Sequence, residues 1–168
     1  MIALWELCEE GELAEVRAAL ARGEDVNSKS EDNDTGLMLA IVNGNNSIVR
    51  LLLEQPTADL NCTGSDGWTA LHWAADSDDI EAVQLLLADP RLSNVNQKNN
   101  DGCTPVMIAV FYKKVNTLRE LVAHPSVDLD VGLQGESLEE IARWDFLQLF
   151  TEISYWTLLM QDKPFPYG

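Results

Sequence analysis

A chain of 168 residues is long enough to bury a core, and a hydrophobic share of 46% fits a folded protein rather than a disordered acidic tail. Its eleven Lys and Arg against twenty-eight Asp and Glu leave a net charge of −17, which repels phosphate backbones and anionic lipid. Nucleic-acid and membrane-surface binding are therefore disfavoured, and basic partners are favoured.

Three cysteines, Cys8, Cys62 and Cys103, stand far apart without Cys-x-x-Cys spacing. They read as reduced thiols rather than a disulfide frame or a zinc site, which places the protein in cytosol or nucleus. No apolar run approaches the ~20 residues of a membrane span. The opening "MIALWELCEE" brings acids directly behind its few apolar residues, unlike a signal peptide.

In chain order, "LWELCEEGELAEVRAALARGEDVN" reads as two short amphipathic helices and a polar turn. Then a period begins. "TGLMLAI" opens at Thr35, "TALHWAA" at Thr69, "TPVMIAV" at Thr104 and "SLEEIAR" at Ser137. Each of the three threonines is an expected N-cap, and Pro105 fits the first helical position behind Thr104. A second apolar segment follows each of them, "IVRLLLEQP", "AVQLLLADP" and "LRELVAHP", stopped by Pro56, Pro90 and Pro125. Between units, "GSDG" and "NNDG" read as tight turns. A helix-turn-helix unit of this size cannot bury its own apolar face, so the units must stack.

The period and the stretch "DGWTALHWAA" resemble the ankyrin repeat and its Thr-Pro-Leu-His-x-Ala helix start; "DGCTPVMIAV" is a looser match. Gly36 and Met38 stand where proline and histidine are usual. The resemblance implies an all-α solenoid of helix-turn-helix units with finger loops and terminal caps. It divides 1–153 into a cap (1–28), repeats at 29–62, 63–97 and 98–131, and a C-terminal cap (132–153). The tail, 154–168, is expected to pack on the last repeat.

No constellation for catalysis emerges from the residues. His72 and His124 are the only histidines, and His124 falls in an outer turn. Asp76, Asp78 and Asp79 in "DSDDIE" lack the spacing that wraps calcium and read as helix-start acids. No motif calls for a cofactor or metal. An enzyme or metal site centred on His72 is the rival from another class. The resemblance instead makes His72 a structural residue that ties neighbouring fingers and helices, beside the caps Thr35, Thr69 and Thr104.

What the resemblance implies functionally is a non-catalytic protein-binding groove. By register, the finger residues before each threonine are Asp34, Trp68 and Cys103. The ends of the first helices supply Val42 and Asn43, Asp76 and Ser77, Phe111 and Tyr112, with Glu9, Glu10 and Trp144 in the caps. Trp68, Phe111, Tyr112 and Trp144 are the expected anchors, and Asp32, Asp34, Asp66, Asp76 and Asp101 the expected steering acids. Trp5, Trp73 and Trp156 are expected in the core. The partner is another protein with a basic, partly apolar segment, and the chain itself is expected to be monomeric. An acidic chaperone-like binder of basic proteins and a module self-associating through its aromatic tail are the alternatives. The resemblance further marks Asn61 for hydroxylation by an intracellular dioxygenase.

Overall fold

The computed structural model describes residues 2–129. Trp144, Trp156, the C-terminal cap and the tail lie outside that range. Within it the chain forms eight helices in four pairs: α1 (Leu4–Glu10) with α2 (Leu13–Ala21), α3 (Gly36–Val42) with α4 (Asn46–Leu53), α5 (Ala70–Asp76) with α6 (Ile80–Ala88), and α7 (Pro105–Phe111) with α8 (Val115–Ala123). The first helices of the pairs pack in a row, α1 on α3 on α5 on α7, and the second helices form a parallel outer row.

Each inner helix starts where the sequence places a threonine. The hydroxyls of Thr35, Thr69 and Thr104 accept from the backbone N–H groups of Met38, His72 and Met107 at 3.4, 3.4 and 3.5 Å. Pro105 occupies the first turn of α7, where an N–H would lack a partner in any case. The outer helices end two or three residues ahead of Pro56, Pro90 and Pro125, whose rings cannot continue them.

Between the paired helices the chain reverses through one left-handed residue. Gly44 fills that slot with φ 68°, whereas Asp78 and Lys113 fill it at φ 54° and 59°. The fingers between pairs are narrow loops, each closed by one backbone bond: Ser30 to Asp34, Gly64 to Trp68 and Asn99 to Cys103, at 2.8, 2.7 and 2.9 Å. A continuous apolar core runs through all four pairs, from Leu4 and Cys8 through Ile41, Leu52, Leu71 and Leu86 to Met107 and Leu121.

Candidate partner-binding face

The inner helices expose one stripe. Half-buried Leu39 and Trp73 and buried Ile108 stand at the same register on α3, α5 and α7, followed one turn later by exposed Val42 and Phe111 and half-buried Asp76. Asn43, Ser77 and Tyr112 then cap the three helices. Five large apolar side chains are exposed among the described residues, and three of them, Val42, Phe111 and Tyr112, belong to this stripe. Phe111 is 38% and Tyr112 57% exposed, too much for a core role. Asn43 and Ser77 are also exposed, with the Asn43 side chain donating back to the Leu39 carbonyl.

Trp68 reaches the stripe from its finger. Its ring lies 4.5 Å from that of Trp73 at an interplanar angle of 42°, and 5.8 Å from the His72 imidazole. Both tryptophans are half-buried. Trp73, expected in the core, packs against it while remaining half-buried beside Trp68, and its buried indole N–H has no hydrogen-bond partner. The signal was present in its spacing. Trp73 lies three residues before Asp76 on one helix, so the two side chains share a face. Trp5 is likewise only half-buried.

Two expected groove residues turn inward instead. Asp34 and Cys103 are each 7% exposed. The Asp34 carboxylate accepts from the Ser65 N–H and hydroxyl at 3.1 and 3.2 Å, so it joins adjacent fingers rather than facing a ligand. The Cys103 N–H donates to Asn99 Oδ1 at 2.8 Å, and its carbonyl receives His72. Burial raises the Cys103 thiol above its ordinary value and pushes that of Cys8 to about 12, so neither sulfur is an activated nucleophile. Asp66 and Asp101, by contrast, are exposed at the finger tips, and Asp76 is half-buried beside the stripe.

His72 is fully buried, with both ring nitrogens engaged. The Thr69 N–H donates to Nδ1 at 3.1 Å, so Nε2 carries the proton and donates to the Cys103 carbonyl at 3.0 Å. Burial lowers its pKa, opposed by the bond to Cys103, and holds the ring neutral. The same slot holds Met38 and Met107, whose sulfurs accept the Thr35 and Thr104 N–H groups at 3.5 Å. A thioether cannot make the second, donating bond to the next finger.

The outer edge is organised differently. Asn27, Asn61 and Asn96 each bridge to the next repeat. Their amides donate to the carbonyls of Thr57, Arg91 and Ser126, at 2.8, 2.8 and 2.7 Å. Their carbonyls accept from Asp59, Ser93 and Asp128, all at 2.8 Å. The side chain of Asn61, the expected modification site, thus already holds two repeats together. Arg91 donates to the carbonyls of Gln55 and Leu53, both at 2.6 Å, and pairs with Asp89, whose carboxyl it holds below the usual range. Of the helix-start acids, Asp79 caps α6 through the Ala82 N–H, while Asp78 crosses to Thr117 on α8. No group of three metal-ligating side chains is found among the described residues.

A stack of threonine-capped helix pairs with fingers on one side is also what comparison with known proteins finds. A model of three ankyrin repeats matches residues 4–94, more than half of the chain. The chain belongs to the ankyrin-repeat family. It is 33% identical over 127 residues to an ankyrin repeat protein of Fowlpox virus (strain NVSL), covering 74% of this chain and 36% of that one. It is 30% identical over 146 residues to the mitochondrial disaggregase of Bos taurus, covering 84% of this chain and 21% of the relative. It is 31% identical over 103 residues to human transient receptor potential cation channel subfamily A member 1, covering 61% and 9% respectively. The chain thus spans about a third or less of the length of these relatives. Ankyrin repeats are protein–protein interaction modules, and the α7–α8 pair extends the same architecture beyond the matched segment.

Proposed function

We propose that this ankyrin stack is a non-catalytic module that seats a basic, partly apolar segment of another protein on its inner face. Trp68, Trp73, Phe111 and Tyr112 are the anchors, and Asp66, Asp76 and Asp101 set the charge around them. The observation that carries this reading is the exposure of Phe111 and Tyr112 beside the tilted tryptophan pair. Large aromatic side chains left open to water gain little for a lone chain, but they are typical hot spots once a partner covers them. The surrounding carboxylates would speed the approach of a basic segment and fix its direction more than they would add affinity.

The experiment is affinity capture with the wild-type chain, Tyr112→Ala and Phe111→Ser in parallel. Captured proteins should be lost from both variants while their melting temperatures stay near wild type. Retention of the same set by both variants would place the contact elsewhere. Binding that persists at ~0.3 M salt marks aromatic anchoring, since screening then acts within several ångströms. Binding that collapses there marks the charge-driven, chaperone-like alternative.

A further inference from the structure

The outer turns of successive repeats are built alike, bond for bond. Gln55, Asp89 and His124 follow α4, α6 and α8, and each donates its N–H to the leucine carbonyl three residues back, Leu52, Leu86 and Leu121. Their own carbonyls accept from Ala58, Leu92 and Val127, three residues on. The carbonyls of Thr57, Arg91 and Ser126 each receive the bridging asparagine of the preceding repeat. Arg91 and Ser126 therefore hold the same place in their turns. At the α4–α6 junction a guanidinium fills that place: Arg91 donates to the carbonyls of Leu53 and Gln55, both at 2.6 Å, and to the Asp89 carboxylate. At the α6–α8 junction the corresponding carbonyls are those of Leu87 and Asp89, and Ser126 brings no guanidinium to them. A cavity of about 300 Å³ opens there, lined by Leu87, Asp89, Pro90, Asn96, His124 and Ser126.

We infer that this outer cavity is a binding site for a guanidinium group, supplied by a ligand where the preceding junction uses Arg91. Carbonyls at a helix C-terminus carry the negative end of its dipole and lack partners within the helix. The Gln55 carbonyl accepts both Ala58 and Arg91, whereas the matching Asp89 carbonyl accepts Leu92, which leaves its second lone pair for a donor. A planar fork reaches two carbonyls two residues apart at once, as Arg91 does; a lysine ammonium is a point charge on one stem. His124 stands where Asp89 stands one repeat earlier, and the Asp89 carboxylate already pairs with Arg91. Attraction to the cavity thus comes from the carbonyls and from the net charge of −17. A guanidinium seated there would also join α6 to α8, so binding and stability rise together. The site is separate from the inner face and does not depend on it.

The test uses the full 15N-labelled chain, followed at the backbone N–H of Ser126 and the side-chain amide of Asn96. Capped arginine, capped lysine, capped citrulline (the same shape without the charge) and free arginine are titrated in turn. Capped arginine should shift both signals saturably and bind about tenfold more tightly than capped lysine or citrulline, as a charge-assisted bidentate contact would. Ser126→Arg, which supplies the group from the chain itself, should raise the melting temperature and abolish the shifts. His124→Asp should tighten capped arginine several-fold and gives a readout independent of how the new arginine packs. Its carboxylate would accept the Ser126 N–H, as Asp89 accepts that of Arg91. Tyr112→Ala should leave the binding unchanged. Free arginine binding as tightly as the capped form assigns the cavity to the amino acid itself. Weaker binding, from its carboxylate meeting an acidic surface, assigns it to an arginine side chain of another protein; either result upholds the site. Equal binding of lysine or citrulline overturns it, as do shifts that survive Ser126→Arg or the lack of any saturable shift.

Discussion

The outer edge and the inner face of this stack use their side chains in opposite ways. On the outer edge Asn27, Asn61, Asn96 and Arg91 each make two or more bonds to a neighbouring repeat. On the inner face Val42, Phe111 and Tyr112 stand open to solvent. One edge fixes the spacing of the repeats, and the other is left free to meet something else. Stability and recognition should therefore separate by substitution, and each prediction below either breaks that separation or sharpens it.

The largest expected loss of stability is on the outer edge. Arg91→Ala removes bonds to two helix-end carbonyls and to Asp89, and should cost about 2 kcal/mol in denaturant unfolding, as charged hydrogen bonds usually do. Asn61→Ala should cost about 1–2 kcal/mol by the same measurement, because it orphans groups on Arg91 and Ser93. Where the two faces meet, Gly44→Ala should cost about 1 kcal/mol. A Cβ there would meet no atom within 4 Å, so the loss is one of backbone conformation alone. Smallest of all, Tyr112→Ala should change stability by less than about 0.5 kcal/mol, the usual range for an exposed side chain. A larger loss would mean that the inner-face aromatics are part of the core.

His72 gives the comparison a pH axis. Its folded-state pKa lies below the ordinary histidine value, so the unfolded chain takes up a proton that the folded chain refuses. The stability due to the neutral ring is present above the unfolded pKa. It falls as pH drops from about 6.5 toward the folded value, where the loss is complete. His72→Met, which copies the residue at the neighbouring slots, should flatten this dependence in unfolding curves between pH 7 and 5. It should also lower stability at neutral pH through loss of the bond to Cys103. An unchanged pH slope in the variant would show that another group titrates there.

Much of this could be read from local chemistry. The threonine caps, Pro105 in the first turn and the prolines behind the outer helices are short-range signals, and each element formed where they placed it. The stripe carrying Phe111 and Tyr112 was legible for a related reason, since register carries helical position from one repeat to the next. Contacts between repeats were not. Asp34 and Cys103 occupy finger positions that look open in one dimension, but both are buried in three, Asp34 under the Ser65 bonds of the next finger and Cys103 with its carbonyl on His72 of the preceding repeat. Trp73 lies in an apolar run that reads as core, and only its three-residue spacing from Asp76 signals that its edge lies toward the inner face. The bridging role of Asn27, Asn61 and Asn96 was equally hidden, for an asparagine in a turn satisfies its own loop as readily as a distant carbonyl.

The central claim, that the partner segment belongs to the inner face, is tested most directly by mapping where a basic segment lands. Backbone and indole resonances of the 15N-labelled chain would be followed as an alternating lysine–leucine peptide is added at ~0.15 M salt, where surface charges are screened beyond about 8 Å. The account predicts that the largest shifts fall on Trp68, Trp73, Asp76, Phe111 and Tyr112, with Asn61, Arg91 and Asn96 unmoved. Shifts concentrated on the outer edge, with the tryptophan indoles silent, would contradict it.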